Sequence, residues 1–297
     1  MVERRAATPV LYLVALLLWA LAGAAHAYSI RDDSGVVTHF NAPPSRIVSL
    51  LPSLTETVCA LGACDRLVGV DRYSNWPASV RKLPSVGGGL DPSLESVVVL
   101  RPDLVLMSVS SPALPRLRGL GLRVIALDTD TARQMRHVIV SVGQALQQPD
   151  PERLVHEIDA DVAAVAKSLP PPLRGESVYF EVSPGPYAAG PGSFIGELLA
   201  RLGLRNIIGP ELGLFPKINP ELVVRADPDL IMVGTDAAGT LADRPGWAGL
   251  RALTQHRVCA FDAAQFDVLV RPGPRMAEAA RLIAACVLRF GPGGGVR

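Results

Sequence analysis

Two stretches of the chain share one design, and together they decide the fold. They are LRPDLVLMS (Leu100–Ser108) and ADPDLIMVG (Ala226–Gly234). Each places a Pro-Asp turn directly before an apolar run, which is typical of a buried strand after a tight connection. Glu95 precedes the first turn and Glu221 precedes the second at the same distance. The pattern predicts a helix–turn–strand unit in each of two similar lobes; the alternative is coincidence, because Pro-Asp-Leu is common before strands.

Apolar runs alternate with helical patterns around both units. Helix starts are indicated by a capping-box pair, Ser53 and Glu56, and by Asp91 and Asn219, each of which precedes a proline. Buried strands are predicted at RIVSLL (46–51), RLVGVD (66–71), LRVIALD (122–128) and SVYFEV (177–182). Alternating strands and helices are typical of parallel sheets covered by helices. The fold class is therefore predicted to be α/β, with two Rossmann-like lobes.

The segment between the two units has a different pattern. Residues 131–170 carry apolar side chains at helical spacing, and they are predicted to form the helical link between the lobes. The N-terminal α/β lobe is assigned to residues 28–130 and the C-terminal α/β lobe to residues 171–297.

The N-terminus predicts export. Arg4 and Arg5 precede an apolar stretch, VLYLVALLLWALAG, and Ala25-His26-Ala27 supplies the small residues of a cleavage site. The apolar stretch is short for a membrane anchor, which is the alternative. No cysteine directly follows the site, which argues against a lipid anchor. Residues 1–27 are therefore predicted to be a cleaved signal peptide, and the mature protein is expected to be periplasmic.

Composition excludes some partners. The chain has 297 residues and a net charge of +1, and no block of Lys or Arg suggests a nucleic-acid groove. The four cysteines are expected to meet an oxidising compartment, where disulfides form. The local pairs Cys59–Cys64 and Cys259–Cys286 are favoured, although four cysteines allow three pairings and buried free thiols are the alternative.

No motif indicates catalysis. G-x-S-x-G, H-E-x-x-H, a P-loop and G-x-G-x-x-G are all absent, and the histidines are scattered without ligand spacing. The sequence therefore predicts no enzyme, no metal site and no cofactor.

Loops rich in glycine, proline and aromatic residues follow the predicted strands. Ligands of open parallel sheets bind outside the carboxyl ends of the strands. These loops therefore predict contacts to a flat, mostly apolar ligand, although packing within the loop is the alternative for any single ring. The candidate ligand-binding residues are Tyr73, Trp76, Gly88, Tyr187, Phe215, Asp267 and Arg271.

Several motifs together resemble one protein family. They are APPSRIVSLLPSLTETVCALG (42–62), LVGVDRYSNWP (67–77), LPSVGGGLDPSLESVVVLRPDLVL (83–106), FPKINPELVVRADPDLIMVG (215–234) and RPGPR (271–275). The chain resembles the periplasmic substrate-binding proteins of importers for vitamin B12, iron-siderophores and haem, and its loops look most like the cobalamin branch. The resemblance implies a class III periplasmic binding protein, with its lobes joined by one long helix and only small closure on binding.

The resemblance also implies roles for single residues. Tyr73 matches a tyrosine that touches the corrin, and Tyr187, Phe215 and Arg271 match other contact positions. Gly88 departs from the pattern, because it stands where well-known cobalamin binders have a tryptophan.

The implied partners are a corrinoid ligand and the permease dimer of an ABC transporter, and the protein is expected to be a monomer. Glu95 and Glu221 match glutamates that dock onto permease arginines. The alternatives are an iron-siderophore or haem carrier of the same family and, from another class, an exported α/β enzyme.

Overall fold

A four-stranded parallel sheet forms the N-terminal lobe. The computed structural model describes residues 27–291. A hairpin of β1 (Tyr28–Arg31) and β2 (Val37–Phe40) precedes the sheet, which has the order β4-β3-β5-β6. The strands are β3 (Ile47–Ser49), β4 (Leu67–Val70), β5 (Leu104–Ser108) and β6 (Val124–Leu127), and the helices are α1 (Pro52–Ala60), α2 (Leu94–Val99) and α3 (Leu114–Gly119). Apolar residues bury both faces of this sheet, as parallel sheets require.

Two helices link the lobes, α4 (Ala132–Ala145) and α5 (Pro151–Ser168), where one long helix was predicted over residues 131–170. Gln147 and Asp150 adopt left-handed backbone angles between them, with φ of 50° and 49°. Pro151 is the first residue of the second helix. At this position its missing N–H costs no helical hydrogen bond, whereas a proline in the interior would break the helix.

Helix α4 belongs to the cores of both lobes. Its residues Val138 and Val142 pack in the N-terminal core, and Met135 and Ile139 pack in the C-terminal core. The lobes therefore share a buried helix, which limits how far they can move apart.

The C-terminal lobe has a five-stranded sheet. Its order is β11-β10-β7-β8, with β9 paired to β7, and every pairing except β7–β8 is parallel. The strands are β7 (Ser177–Ser183), β8 (Tyr187–Ala188), β9 (Arg205–Asn206), β10 (Leu230–Gly234) and β11 (Val258–Phe261). The helices are α6 (Phe194–Arg201), α7 (Pro220–Ala226), α8 (Thr235–Ala238), α9 (Arg251–Thr254), α10 (Ala263–Val270) and α11 (Met276–Leu288). The predicted α/β fold class is thereby confirmed.

The repeated stretches form equivalent units. Helix α2 leads into β5 and helix α7 leads into β10. Each helix buries one valine, Val97 or Val223, against its sheet, and each exposes a glutamate, Glu95 or Glu221, in its first turn. The predicted helix–turn–strand repeat is confirmed.

The helix caps agree with the sequence only in part. Asn219 caps α7 as predicted, since its side chain accepts a hydrogen bond from the Glu221 amide at 3.0 Å. Helix α2 is capped by Ser93, whereas Asp91 forms an ion pair with Arg72 at 2.6 Å. The predicted capping box of α1 is wrong, because that helix starts at Pro52 and buries the Glu56 side chain.

Both favoured disulfides, Cys59–Cys64 and Cys259–Cys286, are present. Cys59 and Cys64 lie five residues apart. The second pair joins strand β11 to helix α11 across 27 residues.

We expect the two disulfides to contribute unequally to stability. The longer loop loses more conformational freedom on closure, so removing Cys259–Cys286 should lower the free energy of unfolding by about 3–4 kcal/mol, against about 2 kcal/mol for Cys59–Cys64. Urea unfolding of the two double alanine variants measures this difference. A larger loss in the Cys59→Ala/Cys64→Ala variant would contradict the expectation.

Within residues 27–291, no helix is long and apolar enough to cross a membrane. The predicted signal peptide, residues 1–27, lies almost wholly outside the described part of the chain.

Candidate functional site

Three neighbouring hollows form a cleft between the two lobes. The central hollow, about 360 Å³, is lined from one lobe by Leu51, Tyr73 and Asp130 and from the other by Phe194, Phe215 and Arg271. The N-lobe hollow, about 380 Å³, shares Leu51, Tyr73 and Asp130 with it and adds Gly88 and Asp91. The C-lobe hollow, about 270 Å³, shares Asp267 with the central hollow and adds Asp236.

The cleft lies at the carboxyl ends of the strands. Leu50 follows β3, Asp71 follows β4 and Asp130 comes soon after β6, and all three line the N-lobe hollow. Gly234 ends β10 and Phe261 ends β11, and both line the C-lobe hollow. This is where open parallel sheets bind ligands, because the loops that follow the strands are free to carry side chains.

Tyr73 projects its ring into this cleft. Its side chain is 61% exposed, although its backbone amide donates to Asp71 Oδ2 at 2.9 Å. Asp71 is itself buried and accepts a second hydrogen bond from Ser74, and burial raises the pKa of the Asp71 carboxyl. The loop is therefore fixed at its base and leaves an aromatic ring open to a ligand.

The other predicted aromatic residues are distributed unevenly. Phe215 lines the central hollow, as does Phe194, which the sequence analysis missed. Within the described part of the chain, Trp76 and Tyr187 line none of the three hollows. The Arg275 guanidinium lies over the Trp76 ring, 4.8 Å from the ring centre. The Tyr187 backbone pairs with that of Lys217 in an isolated antiparallel β-bridge, two residues after Phe215.

The glycine run has structural reasons. Gly87 has φ of +96°, which favours glycine, and a Cβ at Gly89 would lie 2.4 Å from the Leu50 carbonyl oxygen. A Cβ at Gly88 would lie 2.2 Å from Asp91 Oδ1, so a side chain there requires Asp91 to move. Gly88 therefore lines the N-lobe hollow without a side chain.

Arg271 ties the two lobes together. Its guanidinium donates to Asn75 Oδ1 at 2.8 Å, to the Tyr73 carbonyl at 3.1 Å and to Glu56 Oε1 at 3.2 Å. It also pairs with Asp267 on α10 at 2.7 Å, and Asn75 donates to the same carboxylate at 2.8 Å. Arg271 therefore holds together residues of both lobes next to the central hollow, which it lines.

Glu56 is the buried centre of this network. Its side chain is 2% exposed, and Arg275 approaches it at 3.7 Å in addition to Arg271. Burial raises the pKa of the Glu56 carboxyl, and the two arginines oppose that rise. Glu56 comes from α1 and both arginines come from the C-terminal lobe, so the contact joins the two lobes.

Comparison with known proteins identifies the family. The profile of the periplasmic binding protein family matches residues 47–264. The chain belongs to the periplasmic binding protein family. Its members bind solutes, so this protein is a binding protein and not an enzyme, as the sequence predicted.

Two relatives match most of the chain. An ABC transporter substrate-binding lipoprotein of Bacillus subtilis is 31% identical over 272 residues, covering 87% of this chain and 85% of the relative. A cobalamin-binding protein of Halobacterium salinarum is 28% identical, covering 83% of this chain and 70% of the relative.

The haem-binding protein RhuT from Roseiflexus sp. RS-1 has a similar structure, with a TM-score of 0.70 and 27% identity over 82% of this chain and 97% of that chain. This periplasmic binding protein is thus the substrate-binding component of an ABC importer, and the proteins similar to it include cobalamin-binding and haem-binding ones.

Proposed function

We propose that this periplasmic binding protein captures cobalamin between its two lobes in the periplasm and delivers it to an ABC importer. The observation that carries the proposal is the exposed Tyr73 ring, which faces a hollow that Phe215 lines from the opposite lobe. Two aromatic walls suit a broad, largely apolar ligand such as a corrin. The cobalamin-binding relative from Halobacterium salinarum supports the same ligand.

Haem is the second candidate, favoured by the structural similarity to a haem-binding protein. Haem carries two propionates, which call for cationic partners in a binding site. Arg271 lines the cleft, but Glu56 and Asp267 already pair with it. Cobalamin presents neutral amide groups at its edge and fits this site better.

Equilibrium binding separates the candidates. Purified mature protein is incubated with cyanocobalamin or with haem and then desalted, and the retained absorbance is read. We expect cyanocobalamin to be retained at one molecule per chain and haem to be lost. Retention of haem alone would overturn the cobalamin proposal and leave the family membership intact.

Replacing Tyr73 with alanine should weaken cobalamin binding. Loss of one aromatic wall costs about 1–3 kcal/mol, which is roughly a 5- to 150-fold increase in Kd. Calorimetric titration measures the change, and Val99→Ala is the control because Val99 is 77% exposed on α2, outside the three hollows. Equal affinity of Tyr73→Ala and wild type would remove Tyr73 from the ligand site.

Delivery requires a surface that the permease recognises. Helices α2 and α7 each lead into the start of a parallel strand, β5 and β10 respectively. Each helix therefore begins near the edge of the sheet where the strands end. The cleft opens at this same edge. Glu95 and Glu221 are exposed in these first turns, one on each lobe. We assign them to docking, where carboxylates would pair with permease arginines and fix the orientation of the complex.

A further inference from the structure

Carboxylates dominate the charged groups of the cleft. Five aspartates line the three hollows: Asp71, Asp91, Asp130, Asp236 and Asp267. Among the described residues that line them, the one cationic side chain is Arg271. The walls therefore present an excess of negative charge to whatever enters.

The nearby arginines pair with residues of the protein and leave little positive charge for a ligand. Arg271 is 9% exposed and directs its guanidinium N–H groups at Glu56, Asn75, Asp267 and the Tyr73 carbonyl. An arginine has five N–H groups and no acceptor, so little donor capacity is left for a ligand. Arg72, beside the N-lobe hollow, is paired with Asp91 at 2.6 Å.

Asp130 is the carboxylate best placed to meet a ligand. It lines both the central and the N-lobe hollows, beside Tyr73. Within residues 27–291 its side chain makes no ion pair and accepts no hydrogen bond, as is also true of Asp236 in the C-lobe hollow, whereas Asp267 and Asp91 each have an arginine partner. Partial burial raises the pKa of the Asp130 carboxyl, and the nearby Asp128 carboxylate raises it further.

An unpaired carboxylate in the cleft selects its ligand by charge. Asp130 is exposed in the free protein, and a ligand that covers it removes water from the carboxylate. A cation compensates for that loss, whereas an anion adds repulsion. A cleft lined by charges of one sign also concentrates ions of the opposite sign.

We infer that Asp130 makes this cleft select ligands of net positive charge over neutral or anionic ligands of the same shape. The inference rests on the proposed function, since it concerns the same cleft, and it narrows the ligand class. Among corrinoids, the preferred form carries water on cobalt(III) and a positive charge, whereas the cyanide-bound form is neutral. Haem and carboxylate-bearing siderophores are disfavoured.

The test uses ligand pairs that differ in charge. Aquocobalamin and cyanocobalamin form the first pair near neutral pH, and the ferric hydroxamates ferrioxamine B, a cation, and ferrichrome, which is neutral, form the second. Haem is the anionic probe. We expect the cationic member of a bound pair to bind about 10-fold more tightly at low salt, and this ratio to shrink as salt rises.

Asp130→Asn is the decisive variant. It keeps the shape of the side chain and removes the charge, so affinity for the cationic member of a bound pair should fall by about 10-fold relative to the neutral member, and the ratio within the corrinoid pair should approach unity. Asp161→Asn is the control, because Asp161 is an exposed aspartate on α5 that pairs with Arg281 outside the cleft.

The outcomes separate the inference from the proposed function. Selection between the hydroxamates without corrinoid binding would refute cobalamin as the ligand and support charge selection. Equal affinity within every bound pair, or a ratio that survives in Asp130→Asn, would overturn charge selection even if cobalamin binds. Retention of haem alone, or of no probe at all, would refute both.

Discussion

Replacing Arg244 with alanine lowers the free energy of unfolding by about 3–5 kcal/mol, because it leaves a buried carboxylate without its cation. Glu181 on β7 is 2% exposed, and Arg244 donates to both of its oxygens, at 2.5 and 2.8 Å. The Tyr179 hydroxyl donates to Glu181 at 2.8 Å and would be its one remaining partner among the described residues. The Arg244 guanidinium also covers the buried Trp247 ring at 4.7 Å, so the variant loses packing as well.

Chemical denaturation of the purified protein measures this loss. Arg153→Ala is the matched control, since Arg153 pairs with Glu157 at 3.0 Å on the exposed face of α5. An exposed pair of this kind contributes about 0.3–0.5 kcal/mol. Adding Glu181→Gln to Arg244→Ala should recover part of the loss, because the unpaired charge is then gone. Equal destabilisation by Arg244→Ala and Arg153→Ala would show that Glu181 finds another partner or solvent.

The parts of the fold that sequence predicts are those with local signals. Strands β5 and β10 are continuous apolar runs after a Pro-Asp turn. A strand of a parallel sheet is buried on both faces, so apolar side chains are needed at every position along it. Asn219 caps α7 from the position directly before the helix. Each of these features depends on residues within one short window.

The errors arise where a distant partner competes with a local signal. Asp91 has the right residue type for a helix cap, but Arg72 binds it from another loop. Glu56 has capping-box spacing, but Arg271 and Arg275 from the other lobe pair with it inside the protein. No local window contains these arginines.

The same limit applies to the cleft. Tyr73 and Phe215 were predicted because they stand in loops at strand ends, where open parallel sheets bind ligands, and both line the central hollow. Phe194 was missed because it opens helix α6 and has the pattern of a core residue. Arg271 was predicted as a ligand contact, yet Glu56, 215 residues away in sequence, takes up one of its N–H groups.

The charge of Arg271 is thus committed to joining the lobes, and ligand contact remains a prediction for this residue. Helix α4 connects the lobes by apolar packing, because it has residues in both cores. The network around Glu56 connects them by ion pairs. With both connections in place, we expect only a small closure of the lobes on ligand binding. The proposed docking surface would then depend on groups fixed to each lobe.

Glu95 and Glu221 are such groups, and removing both should abolish ligand uptake by cells while leaving ligand affinity in solution unchanged. Each carboxylate is exposed in the first turn of a short helix anchored by a buried valine, so its position is set by the lobe that carries it. The helix dipole alone favours a glutamate there by about 0.3–1 kcal/mol, and that effect is the structural alternative to docking. A pair of carboxylates, one per lobe, would suit a permease with two-fold symmetry, which is the arrangement that the docking proposal assumes.

Uptake is measured in cells that carry the cognate permease and either wild-type protein or Glu95→Ala/Glu221→Ala. The control is Asp65→Ala/Glu157→Ala, which removes two exposed carboxylates that line none of the three hollows. Each single variant should retain partial uptake, because one charge pair still orients the complex, and raised salt should weaken docking of the wild type. Reversing both charges to arginine should be as damaging as removing them. Normal transport by the double alanine variant would mean that the two glutamates serve only their helices, because a contact that fixes orientation cannot be lost without lowering the rate of delivery.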